Sequence, residues 1–211
     1  MTTAREEMLK RVRAHVRRHE AHPPARRTDR QFDDLVVRFD EALTGVGGEV
    51  LRAESLAAAW DQLGDLLQAL GAAHVVANDE PPFSGMDLEQ RWQDVEWYVV
   101  GRTAGDLRAF CAAADVGLSG ADAALAETGS IVISSGPGKS RLATLLPPVH
   151  VALVPTDRLT TDLFTWTAAR QGAMPSNLTL VSGPSKTGDI EQILAVGVHG
   201  PKRFVVILYE A

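Results

Sequence analysis

Short, unbroken apolar runs set between helix-patterned stretches constrain this chain most. VHVALV at residues 149–154 and RFVVILY at residues 203–209 leave almost no polar position, so they predict strands buried inside a sheet. Residues 49–52, 73–76, 97–100 and 178–181 read as further strands. Helical stretches lie between them. Phe32, Leu35, Val36, Phe39 and Leu43 recur at helical spacing up to Gly45–Gly48, and Ser55 caps a helix that runs through Leu70 to a stop at Gly71. Helices are also predicted over residues 105–114 and 158–170. Such alternation predicts an α/β fold, a single three-layer domain with a mostly parallel sheet. Residues 116–118, 123–125 and 130–134 depart from it as short strands in tight succession.

Ahead of this domain, Met8, Leu9, Val12 and Val16 give residues 3–20 the pattern of an amphipathic helix, and the prolines of HPPARRT mark a linker. The division expected is a basic helical extension over residues 1–30 and an α/β domain over 31–211. Residues 1–30 carry nine Lys or Arg against four Asp or Glu, whereas the chain as a whole stands at −6, which leaves −11 for the remainder. An acidic body repels a phosphate backbone, so nucleic acid is not an expected partner. The apolar runs are too short to span a bilayer, and the N-terminus lacks the apolar centre of a signal peptide; a soluble, cytoplasmic protein is expected. The one cysteine, Cys111, lies in the apolar run LRAFCAAA and reads as a buried hydrophobe. A cysteine-ligated iron–sulfur cluster cannot be built from it within this chain. His15, His19 and His22 share a helix face but are crowded by arginines, so a solvated basic helix end is the reading and no metal site is assigned.

Two loops echo each other, SSGPGKSR at residues 134–141 and SGPSKT at residues 182–187. Neither is a Walker loop. That motif needs a glycine five residues before the one preceding its Lys, where this chain has Ile133 and Leu180. Each echo follows a strand, and ligands of open α/β sheets sit at strand C-terminal ends, so both loops are candidates.

Four constellations carry candidate chemistry. In AETGS, Glu127, Thr128 and Gly129 offer a carboxylate and a hydroxyl at a strand corner, suited to a general base or to a ligand hydroxyl; a plain turn is the alternative. In SGPSKTGDIE, Ser182, Gly183, Ser185, Lys186 and Thr187 precede a helix start expected at Asp189, with Glu191 in its first turn. That combination suits a carboxylate or phosphate, unless Lys186 pairs with one of those acids. In GVHGPK, His199 and Gly200 form a loop in which the imidazole is free to reach a ligand or remain bonded to backbone. In RLATLLPPVH, Arg141 can clamp a carboxylate, while His150 between two valines reads as a core histidine. The tryptophans Trp60, Trp92, Trp97 and Trp166 read as core or interface anchors.

Four blocks, ADAALAETGSIVIS, RLATLLPPVHVALVP, SGPSKTGDIE and GVHGPKRFVVIL, resemble those of LUD-domain proteins in order and spacing, and they span the C-terminal half. The resemblance implies a fold similar to ribose-5-phosphate isomerase, glucosamine-6-phosphate deaminase and CoA transferases. It also implies a bacterial role in oxidising L-lactate to pyruvate beside iron–sulfur proteins, with the clusters in the partner chains. Three roles follow as expectations. The favoured one is an accessory subunit that binds a small carboxylate or phosphate-bearing ligand through Arg141, Ser185, Lys186, Thr187 and His199, with Glu127 orienting a hydroxyl or moving a proton. The others are a free-standing isomerase or CoA-transferase-like enzyme using Glu127, and a scaffold docking iron–sulfur proteins through its basic N-terminal helix.

Overall fold

A computed structural model describes residues 3–15, 26, 28–188 and 194–211. Six strands form one parallel sheet: β1 (Glu49–Ala53), β2 (His74–Ala77), β3 (Glu96–Val99), β4 (Val116–Ser119), β7 (Val149–Pro155) and β12 (Arg203–Tyr209). Their spatial order is β1-β12-β7-β4-β2-β3. A second, four-stranded sheet combines β5 (Ala123–Leu125), β6 (Ser130–Ser134), β8 (Leu159–Thr160) and β9 (Leu178–Val181) in the order β8-β5-β6-β9. The strands β10 (Lys186–Gly188) and β11 (Leu194–Val196) pair with each other as an antiparallel hairpin.

Alternation along the central strands builds both cores. In β7, Val151 and Leu153 face the helix α3 (Leu56–Leu70), with its Trp60, Leu63 and Leu67. Ala152 and Val154 face the opposite way, onto Phe39 and Leu43 of α2 (Leu35–Gly45) and onto Ala124, Ile131 and Ile133 of the second sheet. Both faces of the parallel sheet are therefore covered, which is why VHVALV and RFVVILY hold so few polar residues. The caps follow local rules. Ser55 Oγ accepts the Ala58 N–H and Gly71 closes α3 in the left-handed region at φ 60°, while Asp34 accepts from Val36 and Val37 to start α2. At the start of β12, Arg203 donates twice to Glu49 at 2.7 Å, and those bonds hold the Glu49 carboxyl below its ordinary range.

The expected helix over residues 158–170 is corrected. A turn of 3₁₀ helix (Thr156–Arg158) leads into β8, and the helix α7 (Leu163–Ala169) begins only at Asp162, whose carboxylate accepts the Thr165 N–H at 2.7 Å. Pairing of β8 with β5 takes the residues that the helical pattern had claimed. Short helices α4 (Leu88–Arg91) and α6 (Arg141–Leu145) arise from caps at Asp87 and Ser140, and α5 (Leu107–Ala113) fills the remaining gap. The N-terminal helix α1 spans Ala4–His15 and buries none of its residues; residues 16–20 of the expected helix lie outside those described. Thr28 and Arg30 of the expected linker are fastened to the domain, Thr28 by a 2.5 Å hydrogen bond to Asp162 and Arg30 by an ion pair with Glu127.

Neither echo exits the parallel sheet. Their strands β6 and β9 lie antiparallel in the second sheet, with Ser134 opposite Leu178 and Ile131 opposite Val181. The loops therefore leave at opposite ends.

Candidate functional site

From β2 the chain steps outward to β3, then returns to place β4 on the other side of β2 and continues to β7 and β12. The crevice beyond the C-terminal ends of β2 and β4 is thus the topological switch point, where open α/β sheets bind ligands. A buried polar cluster occupies it. Glu80, 4% exposed, accepts from the Gly120 N–H and the Asn78 amide, both at 3.2 Å. It also binds Lys139 Nζ at 2.9 Å, and Asp122 binds the same ammonium at 3.2 Å. Burial pushes the Lys139 pKa down, but the two carboxylates outweigh it and raise it above the ordinary value. Lys139 is accordingly a fixed cation rather than an amine base.

The first echo is anchored here. Asp79 N–H donates to Gly138 O at 2.8 Å, Ser140 N–H donates to Asn78 Oδ1 at 2.9 Å, and Gly136 bridges Lys139. Gly138 takes φ 72°, and a Cβ on it would stand 3.0 Å from Asp79 O. Asp79, Ser140 and Lys139 together fix where Arg141 begins α6.

Beside the cluster opens a cavity of about 480 Å³. Ser135, Lys139, Ser140, Arg141 and His199 supply its polar wall, and Leu142, Leu145 and Leu146 its apolar wall. The structure therefore brings together two sequence candidates, Arg141 and His199, from separate blocks. Among the described residues, neither side chain is held in an ion pair or hydrogen bond. Since the cluster of one ammonium and two carboxylates carries net negative charge, Arg141 is the lining group that can attract an anion into the cavity, with the His199 ring as a further polar contact. A larger cavity of about 640 Å³ lies between α3 and residues 90–95. Its Arg91 already pairs with Asp61 and lies over Trp60 and Trp92, and it shares no residue with the sequence candidates.

The other candidates gather on the opposite side, near the α2–β1 turn. Glu127 is paired with Arg30, and its carbonyl accepts from Arg38 at 3.0 Å. Thr128, Ser130 and Ser182 form a hydroxyl chain with links of 2.7 and 2.6 Å. Gly129 at φ 63° lies so close to α2 that a Cβ would stand 2.3 Å from Leu43 N, and Gly183 packs on Val46. Lys186 donates to the Val46 carbonyl at 2.5 Å, at the negative end of the α2 dipole. Ser185 exchanges backbone bonds with Pro201 and Gly197 and abuts Gly200, so the second echo and the His199 loop pack on each other. Thr187 lies in β10 opposite Ala195. The helix start expected at Asp189 and Glu191 falls outside the described residues.

His150 is buried, as expected of a core histidine, with Nε2 at 2.9 Å from Ser119 Oγ and its ring stacked on Phe204. Among the described residues its Nδ1 has no hydrogen-bond partner. Among the described residues no group of three His, Cys, Asp or Glu is placed to hold a metal, and no helix is long and apolar enough to cross a membrane. The sequence reading missed Asn78, Glu80, Asp122 and Lys139 as a unit. The one available signal was NDE directly after the apolar strand at residues 74–77, since carboxylates at that position point into the crevice.

The sequence pattern of the LUD domain matches residues 36–209. Lactate utilization protein C of Halalkalibacterium halodurans is 34% identical, over 84% of this chain and 80% of its own length. The protein of the same name from Exiguobacterium sp. is 30% identical over 98% and 96%. A solved DUF162-family protein from Deinococcus radiodurans superposes with a TM-score of 0.54 at 21% identity, covering 83% of this chain and 96% of that one, and so shares the fold.

Proposed function

Because the chain belongs to the LUD-domain family, we propose that it serves a bacterial L-lactate utilisation system as a subunit that binds a small carboxylate or phosphate-bearing ligand in the Arg141–His199 cavity. The convergence of those two side chains on one cavity beside the switch point carries the reading. The relatives' shared name supports the process.

Oxidation of L-lactate to pyruvate releases two electrons and two protons, and the electrons need an acceptor. Cys111 is buried and burial pushes its thiol up to about 11, so it is a poor ligand or redox group. Iron–sulfur partner proteins in the cytoplasm are the acceptors in this reading. A strain lacking the gene, complemented with variants and grown on L-lactate, tests the assignment. Arg141→Ala with His199→Ala should fail to restore growth. Loss only with Lys186→Ala or Glu127→Ala would move the ligand to the α2–β1 side, and wild-type growth in all of them overturns the site.

A scaffold role draws support from α1, which buries nothing and leaves Met8 and Val12 more than half exposed. Removing residues 1–25 should then abolish co-purification of the iron–sulfur partners; unchanged association rejects it.

A further inference from the structure

The cavity is much larger than a three-carbon hydroxy acid. Open to solvent on one side, it has about 480 Å³, within the roughly 300–1,000 Å³ of ligand pockets, whereas lactate is a compact three-carbon anion. Its chemistry is also two-sided. Arg141 and His199 stand on the polar wall, and three leucines form the other. Leu145 and Leu146, neighbours on this wall, are 36% and 44% exposed. A bare small anion would satisfy Arg141 and leave that apolar wall wet.

From this shape and chemistry, we infer that the ligand of this cavity is an amphiphilic monoanion, a carboxylate carrying an apolar tail of roughly four to eight carbons. The carboxylate meets Arg141, with His199 as a second donor, while the tail lies along Leu142, Leu145 and Leu146. The inference rests on the cavity being the ligand site. It goes further by excluding lactate itself as the best-fitting occupant and by making the leucines the specificity determinants. Lys139, held by Glu80 and Asp122, keeps the polar wall in place without contributing a free positive charge.

Each methylene that leaves water for the leucine wall should tighten binding by roughly two- to fourfold, the lower figure applying because the cavity is open on one side. Calorimetric titration of the full-length protein with lactate, 2-hydroxyhexanoate, 2-hydroxyoctanoate and inorganic phosphate measures this. The six-carbon acid should bind about ten- to sixtyfold tighter than lactate. Arg141→Ala should weaken every acid by a similar factor. Leu146→Ser should flatten the dependence on chain length, with thermal unfolding reporting that the variant is folded. Three results count against the inference. Affinity that does not change with chain length, with lactate or phosphate still depending on Arg141, overturns the amphiphile and leaves the small-anion site standing. Chain-length dependence untouched by either substitution places the tail elsewhere and overturns it as well. If neither the acids nor phosphate bind, the ligand site and the inference fall together.

Discussion

His150 makes the stability of this fold dependent on pH in a window that can be worked out from its surroundings. The ring is wholly buried between β4 and β12, and burial pushes its pKa down to about 3, against 6.5 for a free imidazole. Between those two values the unfolded chain binds the proton and the folded chain does not, so stability falls as pH falls. From pH 7 to pH 4.5 this one group should remove about 2.5 kcal/mol, equivalent to about 5–10 °C in Tm for a chain of this size. His150→Leu removes the titration at similar volume. It also orphans Ser119 Oγ, at a cost of about 1–3 kcal/mol that does not vary over this range. The measurement is thermal unfolding of both proteins from pH 7 to 4.5. Carboxylates shared by the two proteins titrate in the same window and cancel in the difference. The variant should begin less stable at pH 7 and converge on or pass the wild type by pH 4.5. Parallel curves would refute the reasoning, because they would mean that the folded protein lets the ring take up its proton.

Lys139→Met leaves Glu80 buried with only the Gly120 and Asn78 donors. It should cost about 2–4 kcal/mol in urea unfolding, with partial recovery on adding Glu80→Gln. A loss below about 0.5 kcal/mol, in the range of an exposed pair, would remove the cluster as the anchor of the first echo. Gly129→Ala meets both a positive φ and the α2 backbone, and should cost about 2–4 kcal/mol by thermal unfolding. A variant as stable as wild type would mean that the AETGS corner is not pressed against Leu43.

Elements governed by neighbours in sequence were legible. Ser55 and Gly71 mark α3 because a cap needs only the residues beside it, and the apolar runs at 149–154 and 203–209 mark strands because both of their faces are covered. Elements governed by distant partners were not. Residues 159–160 follow a helical pattern, yet pairing with β5 draws them into a strand. The site divides in the same way. Arg141 and His199 were found singly, from residue type and loop position, but their common cavity exists only once α6 and the loop before β12 are packed. Lys139 went unrecognised because its meaning comes from Glu80 and Asp122, and nothing in SSGPGKSR specifies either.

The two echoes show what determines the role of such a loop. Both present a lysine after glycine, proline and serine, and in isolation the two are nearly interchangeable. The antiparallel pairing of β6 with β9 sends them to opposite ends of the second sheet, where each ammonium meets a different acceptor. Lys139 is taken up by two carboxylates at the switch point and Lys186 by the Val46 carbonyl at the end of α2. Both lysines are thereby engaged in holding loops in place. The side chains proposed to meet a ligand are instead presented by these anchored loops, Arg141 two residues beyond Lys139 and His199 in the loop packed against the second echo.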